Sequence, residues 1–338
     1  MGTANTTEWM IPLNTSNRSD NSVNAYCPSP GMSATTAQTI QIVLYSLIII
    51  GSLCGNCLVI AIVVKTTKLK TTTNYLIANM AVSDLLVPIF AVPVKIVETY
   101  SGNSWLVSGA LGEILCKLIP FCVEISTAVS IQCLVAIALD RYYALMYPLK
   151  PHLLSRRRCL ISIALIWVLA GLFYSPYFFT FRPVSVGDKF YCLASWEPAF
   201  SHNHKTVERV HYLIIFVLLY LVPLLTTCAL YTVIARDLMK KHSNRSIASK
   251  RRTKENRSVA CMMATVVMVF IVCYTPSHVW YMLYYNESTI LGCNAELVFK
   301  ISLFLFYING ALNPIIYFIF STKYSNAVKN LFSKLMIS

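Results

Sequence analysis

CKLIPFCVEISTAVSIQCLVAIALDRY, residues 116 to 142, reads as a single long helix. From Cys116 to Arg141 such a helix rises about 37 Å, at about 1.5 Å per residue. The hydrocarbon core of a bilayer is about 30 Å thick. Cys116 is therefore expected at one membrane face and Arg141 at the other. Between those ends Glu124, Ser130 and the pair Asp140–Arg141 are costly in lipid. Ionisable groups in membrane segments face the bundle interior or water and often carry function. The helix thus presents three tiers: an outer carboxylate, a polar midpoint and an inner ion pair.

The rest of the chain fits that reading. Of its 338 residues 56% are hydrophobic and only 12% charged, against about 25% charged in a soluble domain. Seven apolar runs are long enough to span a bilayer: 40–64, 75–97, 113–146, 159–181, 211–235, 259–285 and 297–320. The predicted fold is an all-α membrane protein, a seven-transmembrane helix bundle. Residues 1–39 form a polar outer segment, 40–320 the bundle, and 321–338 a short tail. The first segment contains no apolar stretch of the signal-peptide kind, so no cleavable signal is expected. In the tail, Lys323, Lys329 and Lys334 alternate with Tyr324, Val328, Leu331 and Phe332. That pattern predicts an amphipathic helix lying on the inner membrane surface.

Charge orients the bundle. The formal net charge is +14, and 20 of the 28 Lys and Arg fall on the side opposite the N-terminus. Lys/Arg enrichment marks cytoplasmic loops, which places the N-terminus outside. The basic balance is then a topology signal with contacts to membrane lipids, and no nucleic-acid partner is expected. Asn5, Asn14, Asn17 and Asn286 sit in outer N-x-S/T sequons and are candidate glycosylation sites. Four cysteines fall outside: Cys27, Cys116, Cys192 and Cys293. Their spacing leaves three pairings open.

Within the spans, Asp84 lies deep in apolar surroundings and requires a cation or a proton as partner. Pro88 and Pro93 follow it and are expected to kink or locally unwind the helix. Pro314 removes a helix hydrogen bond and frees a carbonyl beside Asn313. No Cys/His cluster has metal-ligand spacing, and no nucleophile–base constellation suggests an enzyme.

Asn56, the L-A-x-x-D run ending at Asp84, Asp140-Arg141-Tyr142, Trp167, Pro223, Cys273-x-x-Pro276 and Asn313-Pro314-x-x-Tyr317 occur together and in order. In these marks the chain resembles the rhodopsin-like G-protein-coupled receptors over nearly its whole length. CKLIPF, ISTAVSI and LVAIALDRY, with Cys192-x-x-x-Trp196 and Pro93 after Asp84, resemble the peptide-receptor branch of neuropeptide Y-type and RFamide-type receptors. The amine-receptor Asp is Val123 here, and the retinal lysine of opsins is Tyr307.

That resemblance implies an extracellular peptide ligand and an intracellular heterotrimeric G protein, at the plasma membrane. It implies a Cys116–Cys192 disulfide, leaving Cys27 and Cys293 as a second pair by subtraction. It implies a switch of Asp140, Arg141 and Tyr142 working with Tyr231, Asn313, Pro314 and Tyr317. Ile131, Pro223, Phe270, Tyr274 and Pro276 would form the transmission core. Asp84, Ser130, Asn309 and Asn313 resemble a pocket for an allosteric sodium ion; no other cofactor is implied. Ligand contacts are expected from Val123, Glu124, Lys95, Trp196, Tyr285 and Tyr307. Glu124 has two open readings: an internal pair with Lys95, or a basic group on the ligand. Three positions depart from the family's pattern: Tyr274 stands where it has a tryptophan, Asn256 where it has an inner acid, and Tyr285 where many peptide receptors have an outer acid. The alternatives are a receptor for a lipid or small organic molecule, or a transporter or channel. Against the latter, no inverted internal repeat is visible.

Overall fold

The computed structural model describes residues 34–102, 104–147, 153–197, 199–200, 203–240, 247–285 and 294–337. Cys27, Cys293, Asn5, Asn14, Asn17 and Asn286 lie outside them, as do the side chains of Asn256 and Tyr285. Seven described helices are long and apolar enough to cross a membrane. They are α1 (Ala34–Lys65), α2 (Thr72–Tyr100), α3 (Gly109–Met146), α4 (Arg156–Thr180), α5 (His204–Asp237), α6 (Ile247–Tyr285) and α7 (Ala295–Phe320). Helix α8 (Thr322–Ile337) follows after a single residue.

Every apolar run expected from the sequence lies on one of these helices, save that the fourth ends one residue beyond α4, at Phe181, and most helices overrun their run. Helix α6 begins at Ile247, well before the apolar run at 259. The preceding IASKRRTKE is rich in Ala, Lys, Arg and Glu, which favour helix without being apolar. Thr71 and Ser155 start α2 and α4 by accepting from the backbone N–H of Asn74 and Arg158.

Proline shapes the interiors. Around Pro88 the second helix widens into one π turn at Val87–Ala91, where Val92 N–H reaches back to Val87 O. A similar turn, Phe216–Leu221, precedes Pro223 in α5. A proline ring crowds the carbonyl four residues earlier, and a wider turn relieves that contact.

The bundle is organised on α3. It packs against α2, α4, α5 and α6, while α7 closes the ring between α1 and α6. In its most apolar window 67% of residues are buried, against 17–44% for the other spans. Lipid-facing positions such as Leu47, Leu172 and Ile319 are exposed, whereas Asn56, Asp84, Ser130 and Asn313 are buried. Polar groups point inward because hydrocarbon offers them no partner.

One departure from pure helix lies in the loop after α4. Strands β1 (Phe181–Val186) and β2 (Lys189–Ala194) pair antiparallel, with Phe181 opposite Ala194 and Val186 opposite Lys189. The two-residue connection Gly187-Asp188 needs positive φ, which Gly187 supplies at +59°. Trp105 N–H bonds Phe190 O at 2.7 Å and ties the preceding outer loop to this hairpin. Helix α8 packs on α7 and α1, with Tyr324 and Ala327 buried and Val328 and Leu331 against the core. Its lysine-free face turns inward, as its alternation anticipates.

Candidate functional site: an outer cavity above a polar axis

At the outer end of α3, Cys116 is bridged to Cys192 of β2, with Cα atoms 5.6 Å apart. The bond holds the hairpin over the mouth of the bundle. Beneath it is a cavity of about 290 Å³. Val123, Glu124, Lys95, Trp196 and Tyr307 all line it, so the structure brings together five of the six residues named for ligand contact. The sixth, Tyr285, ends α6.

Much of the wall is aromatic. Trp196 sits 4.9 Å from the His211 ring, and Tyr220 4.1 Å from the His278 ring, centroid to centroid. Tyr212 donates to His278 O at 3.1 Å and lies 3.2 Å from His278 Nδ1. Tyr220 Oη and Thr275 Oγ1 are 2.8 Å apart. Sequence reading passed over His211, Tyr212 and His278, whose spacing carries no motif.

The internal pair of Glu124 with Lys95 is not formed. Lys95 Nζ instead donates to Glu98 Oε2 at 3.1 Å, one turn along its own helix. A neighbour at i+3 already faces the same way, whereas Glu124 stands on another helix. Glu124 lines the cavity together with Tyr174 of α4.

Midway down, Asp84 accepts from Ser130 Oγ at 2.9 Å and from Asn313 Nδ2 at 2.8 Å. Ser83 joins them, its Oγ 3.0 Å from that of Ser130. Asn313 Oδ1 is buried without a hydrogen-bond partner. Asn309 is also fully buried but does not bond Asp84. Beside this cluster Asn56 Nδ2 donates to Gly310 O at 3.0 Å. Gly310 is the residue four before Pro314, so this is the carbonyl that the proline leaves free.

Ile131, which follows Ser130 on α3, is buried, as are Pro223 and Phe270. Phe270 packs on Tyr274 with ring centroids 4.3 Å apart, and Tyr274 meets Phe306 edge-on at 4.8 Å.

At the inner end, fully buried Asp140 accepts from Arg141 and from Thr73 Oγ1, the latter at 3.0 Å. The hydroxyls of Tyr231 and Tyr317 and the Nε of Arg141 are buried without hydrogen-bond partners. Tyr142 is half-buried against the core. Ser258 Oγ donates to Phe320 O at 2.8 Å, tying the inner parts of α6 and α7. Thr73 and Ser258 were not foreseen, because a lone hydroxyl has no signature in sequence.

A seven-helix bundle with a cavity at one end, a buried polar axis and an arginine–carboxylate pair at the other has the architecture of a membrane receptor. The chain belongs to the 7 transmembrane receptor (rhodopsin family), whose profile matches residues 55–317. The family's members are receptors and not enzymes, and the chain is a multi-pass membrane protein. It is 32% identical to a QRFP-like peptide receptor of Branchiostoma floridae, over 88% of this chain and 77% of that one. It is 30% identical to the substance-P receptor of Rattus norvegicus, over 90% and 76%. With galanin receptor 2a of Danio rerio the identity is 28%, over 86% and 77%.

Proposed function

We propose that this chain is a plasma-membrane receptor, N-terminus outside, that binds an extracellular neuropeptide and activates an intracellular heterotrimeric G protein. The observation that carries the reading is the cavity beneath the Cys116–Cys192 hairpin, open to a chain segment and walled by aromatic rings. The peptide receptors among its relatives support the ligand class.

The mechanism follows from two-state physics. A ligand shifts the bundle only by its differential affinity for two arrangements. The described arrangement has Arg141 held by Asp140 and the inner parts of α6 and α7 joined through Ser258. In this reading it is the resting one. Ligand in the cavity repacks Tyr274, Phe270 and Ile131 below it, parts α6 from α7 and releases Arg141. Tyr231 and Tyr317, whose hydroxyls have no hydrogen-bond partner at rest, receive it and frame the cleft for the G protein. Pro223, Pro276 and Pro314 interrupt the ladders that would otherwise resist bending.

The polar axis fits a sodium ion. Asp84 supplies charge, Ser130 a hydroxyl oxygen and Asn313 an unpartnered carbonyl oxygen, all hard donors suited to a hard cation. Asn309 would complete the set. Bound sodium would favour the resting arrangement by neutralising the carboxylate there.

The test is a screen of amidated neuropeptides on cells expressing the chain, reading nucleotide exchange on the G protein. A peptide-dependent rise absent from mock-transfected cells is expected. A response only to lipids or small organic molecules would replace the ligand class, and solute transport without exchange would replace the function.

A further inference from the structure

Glu124 is the carboxylate of the cavity wall whose partner the protein does not supply. Three acids line the cavity, Glu98, Glu124 and Glu208, with one ammonium, that of Lys95. The Lys95 ammonium is taken by Glu98. No ion pair of Glu124 occurs among the described residues. An ionised carboxylate has about four acceptor sites. Glu124 is half-buried, hidden among helices yet accessible from the cavity. A carboxylate placed so is costly in its charged form unless a cation meets it, and is otherwise held by a proton.

The surroundings narrow the kind of cation. Tyr212, Tyr281 and Tyr307 line the same cavity as Glu124. Their rings offer π faces to a cation. An ionised carboxylate only accepts, so the missing group is a donor.

We propose that the inner part of this cavity is a guanidinium subsite, in which Glu124 pairs with an arginine side chain of the ligand between tyrosine rings. A guanidinium has five N–H donors, no acceptor, and a flat face that stacks on aromatics. An ammonium matches the charge but not the plane. The assignment rests on the peptide-receptor reading and gives it a required side chain.

The test needs neither agonist nor G protein. The purified full-length chain is titrated with arginine amide, lysine amide and the uncharged isostere citrulline amide, reading the thermal unfolding midpoint. Arginine amide should stabilise at a concentration at least about tenfold lower than citrulline amide, the factor for one charge-assisted bond. Lysine amide should fall between them. Glu124→Gln should abolish the preference for arginine amide, and Glu113→Gln, at an exposed carboxylate paired with Lys117 outside the cavity, should keep it. Equal concentrations for arginine and citrulline amides in the native chain overturn the proposal, even if Glu124→Gln does not fold. So does a preference that survives Glu124→Gln, or lysine amide acting as well as arginine amide. A chain that passes this test but answers no peptide keeps the subsite and loses the function; the reverse keeps the function and loses the subsite.

Discussion

Asn56 on α1 donates its side-chain amide to the backbone carbonyl of Gly310 on α7, the one that Pro314 cannot serve. The helices approach closely there: a Cβ on Gly55 would lie 2.9 Å from the Pro314 ring. A conserved volume is not needed to see why glycine sits at 55; any side chain would push the helices apart. The polar axis is thus built on a proline defect repaired from a neighbouring helix.

Two substitutions test that repair. Asn56→Ala strands a buried carbonyl and should cost about 1–3 kcal/mol, seen as a lower unfolding midpoint of the purified chain. Pro314→Ala restores a backbone donor to Gly310, so Asn56→Ala should cost clearly less in that background. Fully additive losses would contradict the repair. Gly55→Ala should lower the midpoint by overpacking, about 1–3 kcal/mol.

The bridge from α3 to β2 should act as one unit. Cys116→Ser and Cys192→Ser should each abolish the peptide response, through loss of the hairpin over the cavity. The double variant should be no worse than either single one. Surface expression and response that fall further in the double variant would argue for separate roles.

Legibility in the sequence followed physical cost. Asp84, Glu124 and Asp140 stood out because lipid makes carboxylates expensive, and the seven spans stood out by length. The Pro314 carbonyl was legible because proline chemistry is local. The β1–β2 hairpin was missed: each strand has six residues, and only Gly187-Asp188 signals the turn. Thr73 on Asp140 and Ser258 on Phe320 were missed because their partners lie on other helices. Of the two open readings of Glu124, the pair with Lys95 is not formed, because charge alone does not say which of two acids a lysine will reach.

Sodium gives a prediction with a definite sign. If Asp84, Ser130 and Asn313 hold the ion in the resting arrangement, added sodium should weaken agonist binding, by linkage. Asp84→Asn should remove that dependence, measured as agonist affinity in sodium against an organic cation of equal ionic strength. The same sodium sensitivity in the variant would sink the idea.

The inner pair predicts basal signalling. Asp140→Asn removes the charge that holds Arg141 and should raise agonist-free nucleotide exchange at matched surface expression. Thr73→Val removes one of the two donors to that carboxylate and should act in the same direction, more weakly. Unchanged basal exchange in both variants would separate the pair from the switch.

The central claim is that one chain reads a peptide at its outer end and switches a G protein at its inner end. The most direct measurement is nucleotide exchange by purified G protein in the presence of the purified receptor and its peptide, for the native chain and for Arg141→Ala. Peptide should drive exchange with the native chain, and Arg141→Ala should still bind peptide while driving little or none. Peptide-driven exchange undiminished in Arg141→Ala, or no exchange with any peptide that binds the native chain, would contradict the account.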